Sequence, residues 1–271
     1  MGQAVDKAQI GEMSFWEHLD VLRASLIRIA IATVLCGIMA FLFKEEVFSV
    51  ILAPKSDTFI TYRLFSHIAK WTTGEGNSSF SVQLINTGLA EQFVIHMKTS
   101  VYIGFLLSSP YTLYLLFHFI SPALYENEKK YSLRVAGCGY VMFILGVLLS
   151  YFLIFPLTFR FLGTYQVSND VANMITLQSY MGTLMMMSVL MGIVFELPVL
   201  CWLLAKLGIL SAGFMRRFRK HSVIVILIIS AIITPTSDVF TLSLVALPIW
   251  LLYEISILIV SKSKGDRKYG I

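Results

Sequence analysis

The sequence places one carboxylate, Glu196, in the middle of a long apolar run. It stands in the stretch MGIVFELPVL, residues 191–200, two positions before Pro198. An acidic side chain at the centre of a membrane helix costs roughly 2.5–3.5 kcal/mol on insertion scales. A polar group on another helix would offset that cost, so Glu196 is a candidate docking site for a partner helix. The alternatives are a partner within its own bundle, water at a local defect, and a proton or cation relay.

A second group of charged residues lies near the N-terminus, in SFWEHLDVLR, residues 14–23. Ser14 and Glu17 have the spacing of a capping box, and apolar residues follow at helical period. The pattern predicts an amphipathic helix that leads into the first apolar run. Glu17, Asp20 and Arg23 are spaced three apart and therefore share one face of this helix. An ordinary solvated helix start would have the same pattern.

A third group lies in FISPALYENEKK, residues 119–130, after the second apolar run. Ser121 and Pro122 are typical of an N-cap and a first helical residue, which predicts a short helix here. Glu128 has no opposite charge three or four residues away in the sequence. Such a carboxylate can accept a guanidinium in a bidentate fork. An ordinary charged loop is the alternative.

The composition indicates what kind of protein holds these groups. The 271 residues are 57% hydrophobic and 14% charged, and they include 12 Met and 20 Phe. This balance is too apolar for a soluble domain of that length and is typical of an integral membrane protein. The net charge of +5 requires no nucleic-acid partner, because it follows from the distribution of basic residues described below.

Six apolar runs predict an all-α protein with six transmembrane helices. They cover residues 24–43, 99–120, 135–157, 179–205, 222–233 and 239–260. Crossing the hydrocarbon core takes about 20 helical residues, and five of the runs reach that length. The run at 222–233 covers only about 18 Å as a helix, which predicts local thinning or a shallow hairpin with the last run.

The basic residues predict the orientation of these helices. Fifteen of the 21 Lys and Arg residues fall in the N-terminal segment, two of the loops and the C-terminal tail. Short basic loops stay in the cytoplasm, so both termini are expected there. Residues 44–92 then form a long loop on the outer side.

Four of the runs contain an internal proline, namely Pro110, Pro156, Pro198 and Pro248. Each proline lacks a donor and crowds the preceding turn, so each helix is expected to bend there and the bundle to form a curved wall. Membrane helices also tolerate proline without any such role.

Five stretches resemble the TatC family, the multi-span receptor subunits of the twin-arginine protein translocase. The stretches are EHLDVLR at 17–23, AP at 53–54, FISPALYENEK at 119–129, FELPV at 195–199 and TPTSDVF at 234–240. They occur in the family's order and in matching positions relative to six spans. The resemblance covers residues 14–260 and implies a single transmembrane domain over 1–271.

The resemblance implies a docking protein of the cytoplasmic (inner) membrane that catalyses no bond change and needs no cofactor or metal. It would receive folded proteins whose signal peptide bears two adjacent arginines, and it would recruit single-span TatA/TatB-like subunits. Membrane lipid and further copies of the chain are the other expected partners. The main rival is a proton- or cation-coupled secondary transporter with Glu196 as relay, which would require further ionisable groups on facing spans.

The resemblance also implies roles for residues on the cytoplasmic face. Glu128 matches the loop carboxylate that grips the arginine pair, and Pro122 and Tyr125 belong to the same motif. The family usually has a second glutamate where this chain has Val21. Either Glu17 or Asp20, beside Arg23, is expected to replace it.

Within the membrane, Glu196 and Pro198 match the family's site for docking a partner helix. The family often adds a glutamine on the last span, and this chain has Leu242 there. Thr241 or Ser243 is the expected substitute. The remaining positions that the resemblance singles out are Pro54, Asp238 and Glu254. For Glu254 the alternative is an ordinary side chain that snorkels to the interface.

Overall fold

The computed structural model describes residues 15–73, 82–120, 132–168, 173–236 and 238–268. The predicted site residues Pro122, Tyr125 and Glu128 lie outside these ranges, as does Ser14 of the predicted capping box.

Helices dominate the described residues. The α-helices are α1 (Phe15–Leu42), α2 (Lys44–Leu52), α3 (Ile60–Thr73), α4 (Glu91–Ile120), α5 (Ser132–Leu149), α6 (Phe155–Thr164), α7 (Leu177–Phe195), α8 (Leu197–Lys206), α9 (Ala212–Arg217), α10 (Arg219–Ile233) and α11 (Val239–Lys268). A 3-10 turn covers Ala53–Lys55, a π-helical turn covers Ser150–Ile154, and β1 (Leu84–Ile85) pairs in parallel with β2 (Ile175–Thr176).

Among the described residues, five helical segments are long and apolar enough to cross a membrane. They are Trp16–Leu42, Glu91–Phe119, Val135–Thr164, Leu177–Lys206 and Val239–Lys262. The predicted class, a mostly helical multi-pass membrane protein, is therefore confirmed. The 15 residues of α10, which contain the predicted run 222–233, span only about 22 Å. The expected amphipathic segment before the first span is not a separate helix, because α1 continues without interruption from Phe15.

Close backbone contacts at glycines hold neighbouring spans together. α1 packs along α4, and α5 packs along α7. A Cβ built on Gly104 of α4 would lie 2.5 Å from the carbonyl oxygen of Thr33 in α1. A Cβ on Gly146 of α5 would lie 2.6 Å from the carbonyl oxygen of Met191 in α7. Small residues at these crossings let the backbones approach, which is how apolar helices associate in lipid.

Two of the four internal prolines coincide with interruptions of the α-helix. The π-helical turn Ser150–Ile154 comes just before Pro156, and a single residue, Glu196, separates α7 from α8 just before Pro198. Pro110 and Pro248 lie inside the continuous helices α4 and α11.

Side-chain hydroxyl groups donate hydrogen bonds to the backbone carbonyls that the prolines leave without their usual donor. A proline cannot donate to the carbonyl four residues before it. For Pro110 this is the carbonyl of Leu106, which accepts a hydrogen bond of 2.6 Å from the Ser109 hydroxyl. For Pro156 it is the carbonyl of Phe152, which accepts one from the hydroxyl of Thr61, 91 residues away.

The long loop predicted at 44–92 is largely folded. Its helices α2 and α3 close one end of the bundle, which we call the capped end. Hydroxyl groups fasten it: Tyr180 donates to the carbonyl of Ile51 at 3.0 Å, and Tyr151 to that of Val50 at 2.5 Å. The Tyr62 hydroxyl lies 2.9 Å from the Pro156 carbonyl oxygen. The short β1–β2 pair connects this segment to the loop that precedes α7.

Candidate functional site

Glu196 occupies the break between α7 and α8. Its N–H donates to the carbonyl of Ile193 at 3.1 Å, and its carbonyl accepts from the N–H of Leu200 at 2.9 Å. Pro198 follows at the second position of α8, where the absence of a donor is tolerated. The local sequence thus holds the Glu196 backbone in a tight turn within the span, and this turn sets the direction of the side chain.

The carboxylate of Glu196 is buried and has no hydrogen-bond partner. The residue is 7% exposed, and neither Oε1 nor Oε2 is bonded to any group in the described part of the chain. A Cβ built on Gly139 of α5 would lie 3.0 Å from Oε2 and 2.7 Å from Cε2 of Phe117 in α4. The carboxylate therefore lies against α5 and close to the Phe117 ring. A buried polar group without a partner is costly, so this one is available to a donor from outside the bundle.

Thr241 and Ser243, the expected additions to this cluster, are bonded elsewhere. The Thr241 hydroxyl is 2.5 Å from Oδ2 of Asp238, and the Ser243 hydroxyl donates to the carbonyl of Val239 at 2.6 Å. Neither forms a hydrogen bond to Glu196. The structure brings Glu196 together with Gly139 and Phe117, which sequence reasoning missed because glycine and phenylalanine carry no polar signal.

Asp238 acts as the N-cap of α11. Its Oδ1 accepts the N–H of Thr241 at 2.8 Å, and its Oδ2 accepts the hydroxyl of Thr236 at 2.6 Å. Burial raises the pKa of Asp238, but the hydrogen bonds from Thr236 and Thr241 outweigh this effect and hold the pKa below its usual value. The polar motif at the start of the last span is therefore explained by helix capping.

The acidic residues near the N-terminus lie on the first turns of α1. Glu17, Asp20 and Arg23 are all exposed. Between them, the ring of His18 stacks on Phe119 with centroids 4.1 Å apart and an interplanar angle of 19°. This contact places the beginning of α1 beside the end of α4, immediately before the segment that carries Glu128.

Glu254 forms an ion pair that its position in the sequence did not indicate. Its Oε2 accepts from Nη2 of Arg219 at 2.6 Å. One residue earlier, the hydroxyl of Tyr253 donates to the carbonyl of Met215 at 2.8 Å. These contacts fasten α11 to α9 and α10. The two charged residues are 35 positions apart, so no helical spacing connects them.

Pro54 has a structural position in the cap. It lies buried in the 3-10 turn after α2, and its carbonyl oxygen is 3.1 Å from the Tyr62 hydroxyl. In the described residues, no group of three or more His, Cys, Asp or Glu side chains is arranged to hold a metal ion.

Comparison with known proteins identifies relatives along almost the whole chain. A protein from Blattabacterium sp. subsp. Periplaneta americana (strain BPLAN), named Sec-independent protein translocase protein TatC, is 36% identical over 95% of this chain and 100% of its own length. The protein of the same name from Desulforapulum autotrophicum is 33% identical over 94% of this chain and 85% of its own.

A solved structure has the same architecture. The crystal structure of a twin-arginine translocase receptor, TatC, matches with a TM-score of 0.72 and 32% identity, covering 92% of this chain and 100% of that one. The sequence model of the family described as Sec-independent protein translocase protein (TatC) matches residues 17–248. The chain therefore belongs to the TatC family of Sec-independent protein translocase proteins.

Proposed function

We propose that this chain is the receptor subunit of a twin-arginine translocase. Family membership already makes it a subunit of a protein-transport system and not an enzyme. The proposal adds that the chain binds twin-arginine signal peptides of folded proteins at the end of the bundle where α1 begins and α4 ends. The observation that carries it is the stack of His18 on Phe119.

The stack places the acidic first turns of α1 beside the end of α4. This is relevant because two adjacent guanidiniums require two anionic groups. One carboxylate cannot hold both forks. Glu17 and Asp20 stand on the first turns of α1 on either side of His18, and Phe119 is the next-to-last residue of α4, which leads into the segment with Glu128. We assign Glu128 to one arginine and Glu17 or Asp20 to the other. Arg23, Pro122 and Tyr125 are proposed to complete this site.

A second part of the proposal concerns Glu196 and a single-span partner subunit. Its buried carboxylate has no partner among the described residues, so a polar side chain on a docked helix would gain a hydrogen bond there. Pro198 would keep the carboxylate aimed out of the regular helix. Thr241 and Ser243 were expected to share this site, and their bonds to Asp238 and Val239 favour a docking site made by α4, α5 and α8 instead.

The orientation that we propose has both termini in the cytoplasm and six crossings, with α10 as the short fifth. The capped end would then face outward and the His18–Phe119 end inward, towards the cargo. The basic residues on the inner side support this arrangement. Bends at the internal prolines would give the wall its curve. A cytoplasmic (inner) membrane location follows from the same proposal.

The deciding experiment compares two peptides on the purified chain in detergent. One is a signal peptide with an arginine pair, and the other has both arginines replaced by lysine. The charge is equal, but only guanidinium offers a planar fork. A preference for arginine of tenfold or more supports the receptor, whereas equal affinities would indicate attraction to an acidic surface alone. Ion or solute flux through liposomes containing only this chain would favour the transporter.

A further inference from the structure

A cavity of about 400 Å³ opens on the bundle near the capped end. α7 forms its floor, with Lys98 of α4 on one side and Pro235, just after α10, on the other. This volume lies in the range of small-molecule sites in proteins. The cavity is distant from the proposed signal-peptide site, because Lys98 stands near the beginning of α4 and Phe119 at its end.

The polar side of the cavity is basic. Lys98 is exposed, and no carboxylate in the described residues lies within 4.0 Å of its ammonium. The nearest acid along α4, Glu91, is bonded instead to the N–H groups of Gly88 and Thr87 at 2.8 and 3.1 Å. Lys98 lies seven residues after Glu91, about 10 Å deeper along the helix. A lysine at that depth extends its ammonium towards the membrane surface.

Hydroxyl groups stand beside the lysine on α7. Ser179 and Thr183 are one turn apart, and both line the cavity. Neither hydroxyl donates a hydrogen bond within the described part of the chain, and the Thr176 hydroxyl accepts the N–H of Ser179 at 3.2 Å. The ammonium and the two hydroxyls therefore offer donors to an oxygen-rich anion.

Apart from Lys98, the two hydroxyls and the amide of Gln178, the side chains that line the cavity are apolar. Met181 is fully buried beneath it, and Met186 at its edge is 46% exposed. A Cβ built on Gly182, between these methionines, would meet nothing within 4 Å. The missing side chain leaves open space beside α7, which we call the channel.

We propose that this cavity binds one phospholipid, with its phosphate at Lys98 and an acyl chain along Gly182 and Met186. The charges are complementary, because an unpaired ammonium meets a phosphodiester anion. The apolar floor continues from the basic group in the direction of the bilayer centre, as an acyl chain does. The surrounding bilayer supplies such a ligand without any partner protein. This site is independent of the receptor function proposed above.

The test is native mass spectrometry of the purified full-length chain, titrated with phosphatidylglycerol in a neutral detergent. Lys98→Gln should weaken the tightest bound lipid about fivefold, the effect of one lysine near an anionic lipid surface. Gly182→Leu should remove the same bound copy, because its side chain fills the channel. Lys44→Gln makes the same charge change at an exposed lysine of the capped end, outside the cavity, and should bind as the unaltered chain does.

Two results would overturn the proposal. In the first, Lys98→Gln binds phosphatidylglycerol like Lys44→Gln. In the second, a diacylglycerol with the same chains and no phosphate competes equally for the site. This would mean that the cavity recognises only the hydrocarbon chains. If Gly182→Leu fails to fold, the comparison of the two lysine variants still decides the question. None of these outcomes depends on signal-peptide binding.

Discussion

Glu196 and Gly139 are in contact across the bundle, and the contact leaves no room for a side chain at position 139 of α5. A Cβ on Gly139 would lie 3.0 Å from Oε2 of Glu196. The same Cβ would lie 2.7 Å from the Phe117 ring. The position of the buried carboxylate therefore depends on glycine at 139.

Gly139→Ala should lower the free energy of unfolding by about 1–3 kcal/mol, the usual cost of overpacking a filled site. Gly137→Ala in the same helix is the control, because a Cβ there would meet nothing within 4 Å. Alanine is the better helix former, so the control should be neutral or slightly stabilising. Unfolding in detergent measures both variants, and equal losses would contradict the contact.

Glu196→Ala should weaken docking of a single-span partner subunit while leaving the affinity for a twin-arginine peptide unchanged. A hydrogen bond between membrane helices is worth about 1–2 kcal/mol in model peptides, which corresponds to roughly 5- to 30-fold in affinity. Glu196→Gln keeps both donor and acceptor and should retain part of the docking. Site-specific cross-linking reports the result, and full cross-linking in Glu196→Ala would exclude docking at this residue.

Glu128→Ala should weaken binding of a twin-arginine peptide, and so should one of Glu17→Ala and Asp20→Ala. Each loss of a charge-assisted fork should cost about 1.5–3 kcal/mol. Peptide titration on the purified variants measures the effect. Unchanged binding in all three would remove the proposed site. The comparison of the two α1 variants also decides which carboxylate replaces the one missing at Val21.

Asp238→Ala should destabilise the start of α11 by about 0.5–2 kcal/mol, the usual cost of losing an N-cap. The pKa of Asp238 is held below its usual value in the folded chain. Its contribution is therefore complete above the unfolded pKa of about 4 and is lost as the pH falls through the lower folded value. Thermal unfolding of both proteins at pH 7 and pH 3 tests this. The difference between them should shrink at pH 3, and a constant difference would contradict the assignment.

The ion pair of Arg219 and Glu254 should couple only weakly to stability. The side chains are 51% and 27% exposed, and such pairs are typically worth about 0.2–1 kcal/mol. A double-mutant cycle with Arg219→Gln and Glu254→Gln measures the coupling. A value near zero would mean that the Tyr253 hydrogen bond to Met215 carries the attachment of α11 instead.

Apolar length is the property from which the main helices could be predicted. A run of about 20 apolar residues has few alternatives to a membrane helix, so α4, α5–α6, α7–α8 and α11 were expected close to where they lie. Their ends were less predictable: α1 begins at Phe15 and not near residue 24, because its amphipathic first turns continue the same helix.

Contacts between distant residues could not be predicted in this way. The helices of the predicted loop depend on hydroxyl groups such as that of Tyr180, which reaches Ile51 across 129 positions. The Arg219–Glu254 pair likewise has no spacing signal. Glu196 was identified as a candidate site residue from its charge alone, whereas its contacts with Gly139 and Phe117 could be seen only in the folded structure.

The hydrogen bond from Thr61 to the Phe152 carbonyl has a consequence for biogenesis. A carbonyl without a donor is costly in hydrocarbon, where no water can replace the missing N–H of Pro156. Because Thr61 precedes Phe152 by 91 residues, the ribosome has already released the donor when the proline-containing segment is inserted. The donor segment is therefore already synthesised when the helix that it satisfies is inserted, and vectorial synthesis from the N-terminus supplies the two partners in the required order.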